Sequence, residues 1–318
     1  ERQRALIRRY ANRRYYKGCE FADMVEALAC LRVSRLFATR THPPETIHAN
    51  VQPLSGAAAN NAVYEAFMRP GDTLLGLRLS MGGHLTHGSP QNRSGRQYRV
   101  ISYRVDPNTS QLDYEGIERL AREYRPRVIV AGFSAFPWAV DWRRLRRIAD
   151  GVPGCLILAD VAHTAGLIVA GLYPNPIDFA HVVTFTTHKT LCGPRGAIIL
   201  ATDPSIAKAI DDAVFPGEQG GPHLHAIAAK AVAFYLASKP EFRAIQRKTV
   251  ENAAYLAEAL KKRNLTIAYG GTNSHLLLVD LRGLKTPTGE RLSGEIASRI
   301  LELAGLVVNK NAIWDDQD

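Results

Sequence analysis

Short apolar runs alternate along this chain with stretches of helical periodicity, and this alternation limits the folds open to it. The strand candidates are Leu74–Leu77, Tyr98–Tyr103, Val128–Phe133, Leu156–Ala159, Val182–Thr186, Ala197–Leu200 and His275–Leu281. They are rich in Val, Ile and Leu without clean alternation, which is typical of strands covered on both faces. The helical patterns between them are Ala57–Met68, Tyr114–Tyr124, Asp141–Asp150 and Ser205–Asp212. This order predicts an α/β fold with a mostly parallel central sheet and helices on both faces.

The later part of the chain has a different pattern. Two longer helical patterns, His223–Ser238 and Glu241–Arg263, precede a helical pattern at Ser293–Ala304 and a β-like run at Leu306–Val308. The 318 residues suffice for a large domain and part of a second. We predict a large domain over residues 1–240, with an N-terminal arm over 1–20, and a linker helix with an incomplete smaller α/β domain over 241–318.

The net charge is +10, so the basic residues need an explanation. Arginines cluster at Arg2, Arg4, Arg8, Arg9, Arg13 and Arg14, and again at Arg143, Arg144, Arg146 and Arg147. Both clusters fall on predicted helices with apolar residues on the other face, which is typical of solvated helix faces. Neither a nucleic-acid-binding module nor an apolar run of the roughly 18 residues that a membrane span needs is found in the sequence. We expect a cytoplasmic protein that binds neither nucleic acid nor membranes.

A lysine follows one strand candidate at the edge where α/β sheets bind ligands. Lys189 comes shortly after Val182–Thr186, between His188 and Thr190. Burial would lower the pKa of its amine and make it a nucleophile toward carbonyl groups. A lone lysine in a loop more commonly extends into solvent, so Lys189 needs support from other residues.

An aspartate follows a second strand candidate. Asp160 comes directly after Leu156–Ala159, and His163 lies three residues further on. A buried carboxylate needs a partner, and a protonated pyridine nitrogen would be one. The alternative is an aspartate that caps the following turn.

Two glycine-containing segments could bind an anion. Ser55, Gly56 and Ala57 stand where the helix Ala57–Met68 begins, and the backbone N–H groups of a helix start suit a phosphate. The loop 217–222, with Gly220 and Gly221, could supply further amides. An ordinary helix cap and an ordinary turn remain the alternatives.

Two histidines stand among glycines at Gly82–Gly88. Because the glycines allow close backbone approach, the ring of His84 could lie flat on a planar ligand. His84 and His87 could also bind a metal, but no third ligand has a suitable spacing, and we predict no metal site.

Several stretches together resemble the serine (glycine) hydroxymethyltransferases, which are fold-type I enzymes dependent on pyridoxal 5′-phosphate (PLP). The matching stretches are Arg14–Glu20, Ala49–Gly56, Gly82–Pro90, Gly132–Ser134, Asp160–His163, Thr186–Leu191, Gly193–Gly196, Val214–Gly217 and Asn309–Asn311. They cover nearly the whole chain. The pair Gly82–Gly88 and Thr186–Leu191 is the most specific to the family.

The resemblance implies a role for each matching site residue. Lys189 would hold the cofactor as an aldimine, Asp160 would pair with the pyridine nitrogen, and His84 would stack on the ring. The other implied residues are Ser134 and His163 beside the phenolic oxygen, Ser55, Gly56 and Ala57 at the phosphate, Gly220 and Gly221 at the phosphate from a neighbouring subunit, and Thr186, His188 and Arg195 near the lysine. The role of His87 stays open between the site and the scaffold.

The resemblance also implies the reaction and its participants. Serine and glycine would be interconverted by a homodimer with shared active sites, and the one-carbon unit would pass to tetrahydrofolate. PLP would absorb the electrons released when the Cα–Cβ bond breaks.

This chain departs from the family pattern at several positions. Ala57 stands where the family usually has a second serine, and Glu218 adds a negative charge near the proposed phosphate site. Tyr10 is the best match for the tyrosine of the family's pocket. The family's N-terminal glutamate and its C-terminal arginine for the substrate carboxylate have no match, and the segment Trp314–Asp316 differs. Two alternatives therefore stay open: a folate-independent threonine aldolase or transaldolase, and a truncated PLP-binding paralogue with little activity.

Overall fold

The fold is built on a seven-stranded sheet. A computed structural model describes residues 14–314 and residue 316. The strands are β1 (His48–Asn50), β2 (Thr73–Leu77), β3 (Arg99–Tyr103), β4 (Val128–Ala131), β5 (Leu156–Asp160), β6 (Val182–Thr186) and β7 (Ala197–Ala201), in the spatial order β1-β7-β6-β5-β4-β2-β3. Strands β2 to β6 pair in parallel, whereas β7 is antiparallel to both β6 and β1. The predicted α/β fold with a mostly parallel sheet is confirmed.

Helices connect the strands and cover the sheet. In the described part of the chain they are α1 (Glu20–Phe37), α2 (Gly56–Phe67), α3 (Arg93–Gln97), α4 (Tyr114–Tyr124), α5 (Trp142–Asp150), α6 (Ala165–Val169), α7 (Pro204–Asp212), α8 (Leu224–Ala237), α9 (Pro240–Lys261) and α10 (Gly294–Leu303). Side-chain caps set where several of them begin. Asp113 accepts a hydrogen bond from the Gly116 amide at α4, and Asp203 accepts from the amides of Ser205 and Ile206 at α7.

The strand residues divide between two apolar layers. On β4, Ile129 packs in the layer that contains Phe37 of α1, while Val128 and Val130 pack in the layer that contains Tyr64 of α2. Since successive side chains of a strand point to opposite faces, both faces of the strand must be apolar. This explains why the strand candidates lack apolar–polar alternation.

The segment after α9 departs from the prediction. A two-stranded antiparallel sheet joins β8 (Thr266–Ile267) and β9 (Val279–Asp280), so the predicted strand His275–Leu281 is wrong over most of its length. His275 instead packs against His163. Leu306–Val308 is exposed and forms no strand with any described residue. Apolar composition alone cannot make a strand without a neighbour to pair with. The proposed division at residue 240 stays a prediction.

The sequence pattern also missed a long helix. Helix α1 buries Ala29, Val33 and Phe37, but its other face carries Phe21 and Met24, which are 77% and 49% exposed. Apolar residues on both faces weaken the helical periodicity on which a prediction depends.

The two arginine clusters differ in outcome. Residues 1–13, with Arg2 to Arg13 and Tyr10, lie outside the described residues. Arg14 lies in a bend before α1, where it pairs with Asp23 and Glu26, so the predicted helix is wrong at this residue. The second cluster lies on α5, whose other face buries Leu145 and Ile148, and is confirmed as a solvated helix face. Among the described helices, none is long and apolar enough to cross a membrane.

Candidate active site

A cavity of about 180 Å³ opens where the carboxyl ends of β4, β5 and β6 meet the start of α2. Its lining residues are Ser55, Gly56, Ala57, His84, His87, Phe133, Ser134, Asp160, Ala162, His163, Thr186, His188, Lys189 and Arg195. Every predicted site residue is among them except Gly220 and Gly221. Parallel strands bring residues far apart in the sequence to one edge of the sheet.

Asp160 ends β5 and is the buried charge of this cavity. Its Oδ2 accepts hydrogen bonds from Asn60 Nδ2 at 2.8 Å and from His87 Nε2 at 2.9 Å, and its Oδ1 accepts from the Ala162 amide at 3.1 Å. Burial alone would raise the pKa of Asp160. The hydrogen bond and charge of His87, together with His84 and Asn60, outweigh burial and hold this pKa well below its usual range. The carboxylate is therefore ionised and can pair with a cation.

Asn60 is a site residue that the sequence prediction missed. It is fully buried on α2, donates to Asp160 and to Thr86 Oγ1 at 2.9 Å, and accepts from Thr184 Oγ1 at 2.7 Å. Its signal was a polar residue on the otherwise apolar buried face of α2. His87, whose role stayed open, contacts Asp160 and lines the cavity.

His84 lies beside Asp160 and His87. Its Nδ1 lies 2.8 Å from Thr86 Oγ1 and accepts from the Thr86 amide at 3.2 Å, so the ring orientation is fixed from one side. Burial lowers the pKa of His84, although Asp160 opposes that shift. A neutral imidazole therefore faces the cavity.

His84, His87 and Asp160 also form a potential metal triad. Their donor atoms lie within 4.8 Å of one another, so the structure supplies the third group that the sequence reasoning lacked. However, Asp160 Oδ2 already accepts from Asn60 and His87, and His84 Nδ1 is used by Thr86. The atoms that would bind a metal thus already form hydrogen bonds with other protein groups. This arrangement fits a carboxylate that pairs with an organic cation better than it fits a metal site.

Lys189 faces the same cavity. Its Nζ donates to Thr186 Oγ1 at 3.2 Å, and the side chain is partly buried. Burial lowers the pKa of Lys189, Asp160 opposes this shift, and Arg195 adds to it. Arg195 Nη1 lies 3.5 Å from His188 Nε2, and both residues line the cavity near Lys189. The amine is more easily deprotonated than that of a solvated lysine, as a nucleophile requires.

The start of α2 forms one side of the cavity. Ser55 caps the helix by accepting from the Ala58 amide at 3.2 Å. Gly56 and Ala57, as the first helical residues, have amides with no carbonyl partner inside the helix. A Cβ at Gly56 would lie 2.8 Å from Thr186 Cγ2, so only glycine lets the helix start approach β6 this closely. Two free amides and a helix dipole suit a phosphate.

His163 lies across the cavity and stacks on a residue from the distant C-terminal part of the chain. The rings of His163 and His275 are 5.8 Å apart with an interplanar angle of 26°. Burial, with contributions from Lys189 and His275, lowers the pKa of His163 to about 3, and burial lowers that of His275 to about 4. Both rings are neutral at physiological pH. His275 was not predicted as a site residue.

A glycine lets Ser134 reach the cavity. Gly132 has φ +126°, and a Cβ there would lie 1.6 Å from the Asp160 carbonyl oxygen, so no other residue fits between the ends of β4 and β5. The Ser134 amide then donates to the Gly82 carbonyl at 2.9 Å, which ties this turn to the loop of His84.

Gly220 and Gly221 do not line the cavity within this chain. Both are exposed. Glu218 is the residue expected from the sequence to add a negative charge near the proposed phosphate site. In the structure Glu218 pairs with Arg93 and accepts a hydrogen bond from Asn61 Nδ2 at 3.3 Å. Arg93 therefore compensates its charge. Trp314 of the divergent segment packs on Tyr269 and also lies outside the cavity lining.

A sheet of this order, with a nucleophilic lysine and an ionised aspartate at its carboxyl edge, defines the class of fold-type I PLP-dependent enzymes. Comparison with known proteins identifies the family. A family model for serine hydroxymethyltransferase matches residues 6–318. A serine hydroxymethyltransferase of Rhodospirillum centenum is 51% identical over 309 residues, which cover 97% of this chain and 69% of that protein. The chain belongs to the serine hydroxymethyltransferase family, and its function is PLP-dependent hydroxymethyl transfer.

Proposed function

We propose that this chain interconverts serine and glycine and passes the one-carbon unit to tetrahydrofolate. The observation that carries this proposal is that Lys189 and Asp160 line one cavity, with Asp160 held ionised by His87 and Asn60. A nucleophilic amine and a fixed negative charge across a small cavity are the two groups that the reaction needs from the protein.

The residues of the cavity fit PLP. The free amides of Gly56 and Ala57 would hold its phosphate, Lys189 would hold its aldehyde carbon covalently, and Asp160 would hold a proton on its pyridine nitrogen. When bound, the cofactor supplies the electron sink for cleavage of the Cα–Cβ bond. The buried carboxylate of Asp160 supports this fit most strongly, because a buried negative charge is stabilised by a neighbouring cation.

The remaining residues of the cavity would orient the cofactor ring and the lysine amine. His84, neutral and fixed by Thr86, would cover one face of the ring without repelling the charged pyridine nitrogen. His163 and Ser134 would contact the phenolic oxygen. Thr186 Oγ1 would hold the Lys189 amine close to the cofactor whenever a substrate amine displaces it.

A second copy of the chain would complete the site. Gly220 and Gly221 are exposed and lie outside the cavity of their own chain, which supports a role at the phosphate of a neighbouring subunit. The exposed apolar residues Phe21 and Met24 on α1 support a further contact surface. We therefore propose a homodimer with shared active sites; the compartment in which it works stays a prediction.

The test is glycine formation from serine with PLP present, measured with and without tetrahydrofolate. We expect formation that depends on tetrahydrofolate and a loss of at least about a thousandfold in Lys189→Met. Borohydride treatment of the wild-type chain should attach the cofactor to the peptide that contains Lys189. Equal rates with and without tetrahydrofolate, together with cleavage of threonine, would favour the folate-independent aldolase. PLP binding with no turnover of either amino acid would favour the inactive paralogue.

A further inference from the structure

A buried lysine outside the cavity carries an inference beyond the reaction itself. Lys230 lies on α8 and is only 2% exposed. Its Nζ donates to three backbone carbonyl oxygens: Val51 at 2.7 Å, Ala197 at 3.0 Å and Pro53 at 3.2 Å. An ammonium group has three hydrogen atoms, and each finds one acceptor here. Fully buried lysines are rare unless they are paired, so we expect a structural role for Lys230.

The three carbonyls belong to two segments, one of which leads into the start of α2. Val51 and Pro53 lie between β1 and the Ser55 cap of α2, while Ala197 is the first residue of β7. The Ala197 amide also donates to the Pro53 carbonyl at 3.0 Å. Lys230 thus joins the segment that leads into the phosphate-binding helix start to a buried strand of the sheet.

The surroundings of Lys230 leave room for its amine and little else. A Cβ at Gly196 would lie 2.5 Å from Lys230 Cε and 2.8 Å from its Nζ. Burial lowers the pKa of Lys230 to about 8, and the carboxylate of Glu26 opposes this shift. That carboxylate accepts hydrogen bonds from Arg14 and from Gln52 Nε2 at 2.8 Å. Among the described contacts, the ammonium therefore meets a cage of carbonyl oxygens and no direct ion pair.

We propose that Lys230 is a positioning residue whose ammonium acts as a built-in cation, holding the segment Val51–Pro53 against β7 and thereby aligning the amides of Gly56 and Ala57 for phosphate. The carbonyl cage it occupies is itself a monovalent-cation site once the side chain is shortened. The inference rests on the proposed PLP site. The inference concerns the affinity for PLP, whereas the proposed function concerns the turnover of serine. Either of the two can therefore be contradicted by experiment without the other.

The test compares PLP with pyridoxal, which lacks the phosphate, by spectroscopic titration of the apoprotein. In tetramethylammonium chloride, Lys230→Ala should lose roughly ten- to a hundredfold in affinity for PLP and much less for pyridoxal. Ammonium or potassium chloride at the same ionic strength should restore most of the PLP affinity, because ammonium can donate to the same carbonyl oxygens and potassium can be coordinated by them. Tetramethylammonium is too large to enter.

Lys261→Ala is the matched control. Lys261 also donates to a backbone carbonyl, that of Gly270 at 2.8 Å, but at the end of α9 and away from the cavity. This variant should bind PLP as the wild type does, in every salt. Equal losses for PLP and pyridoxal in Lys230→Ala, or a loss that no cation reverses, would overturn the proposal.

A second variant protects the test against misfolding. Lys230→Met keeps the stem of the side chain and removes the charge. It should show the same selective loss of PLP affinity, without restoration by ammonium because the cage stays filled. Wild-type PLP affinity in Lys230→Met would show that the ammonium does not position the phosphate site.

Discussion

At the scale of single residues, the charge of Asp160 depends on two neighbours from other parts of the fold. Asn60 comes from α2, His87 from the loop after β2, and Asp160 itself from β5. Because a buried carboxylate without partners would take up a proton, these two side chains decide its chemistry. His87 Nδ1 is buried without a hydrogen-bond partner among the described residues, so the Nε2 contact with Asp160 is the polar contact of this ring there.

Asn60→Ala should therefore impair the reaction without removing any residue that contacts the amino acid. The variant loses one hydrogen bond to the carboxylate and leaves Thr184 Oγ1 unpaired, at a cost of about 1–3 kcal/mol in unfolding free energy. The pKa of Asp160 should rise, so the acid limb of the kcat/KM profile should move to higher pH. Asn61→Ala, at the neighbouring position, should leave that limb in place. A profile unchanged in Asn60→Ala would contradict this account of Asp160.

The stacked histidines should make the fold sensitive to acid. The pKa of His275 is about 4 in the folded chain against 6.5 for an ordinary histidine, so between these values the unfolded chain binds more protons. Stability from this group is complete above pH 6.5 and falls as the pH drops toward 4, by up to about 1.4 kcal/mol per pH unit. Urea midpoints at pH 7 and pH 5 should thus differ less in His275→Gln than in the wild type. His42→Gln, away from this pair, should retain the wild-type difference.

At the scale of elements, α2 is the helix to which the proposed function assigns the cofactor phosphate. Its cap, its first two amides and Asn60 about one turn later all come from a single stretch of sequence. The strands β2 to β7 and most helices were predicted within a few residues, because a buried parallel sheet imposes apolar runs and short connections. Helix α1 and the strands β1 and β8 were not predicted, since their patterns reflect the surfaces they contact.

Restoring a hydroxyl at the start of α2 should strengthen cofactor binding. Ala57 lines the cavity and stands where the family usually has a serine. Ala57→Ser would add one hydrogen bond to the phosphate, worth about 0.5–1.5 kcal/mol, so the Kd for PLP should fall by roughly two- to tenfold. Ala58→Ser, one residue further on and outside the cavity lining, should have no such effect. A Kd that does not fall in Ala57→Ser would argue against phosphate at this helix start.

At the scale of the whole molecule, the cavity as one chain builds it lacks the two glycines that the family resemblance assigns to the phosphate. Gly220 and Gly221 sit on an exposed loop after β7 and α7, and a side chain there would meet nothing within its own chain. A site shared between two subunits requires that these two glycines be accessible to the neighbouring subunit, and their exposure is consistent with this.

Two inactive variants should therefore complement each other. Lys189→Ala removes the nucleophile, and Gly221→Asp would place a negative charge near the neighbouring phosphate. If each site takes Lys189 from one subunit and Gly221 from the other, mixed dimers contain one intact site, and random mixing should restore about a quarter of wild-type activity. Separately assembled homodimers, kept from exchanging, should stay inactive. Activity that never rises on mixing would indicate that each chain completes its own site.

The sequence by itself determined the buried sheet and the reactive residues at its strand ends, because strand composition and residue type are local properties. Lys189, Asp160 and the start of α2 could be singled out in this way. Only the tertiary structure decided which side chains meet: Asn60 and His87 on Asp160, His275 on His163, Arg93 on Glu218 and Lys230 on the Val51 carbonyl. These contacts join residues from separate elements. Their chemistry depends on burial and distance, which no single stretch of sequence contains.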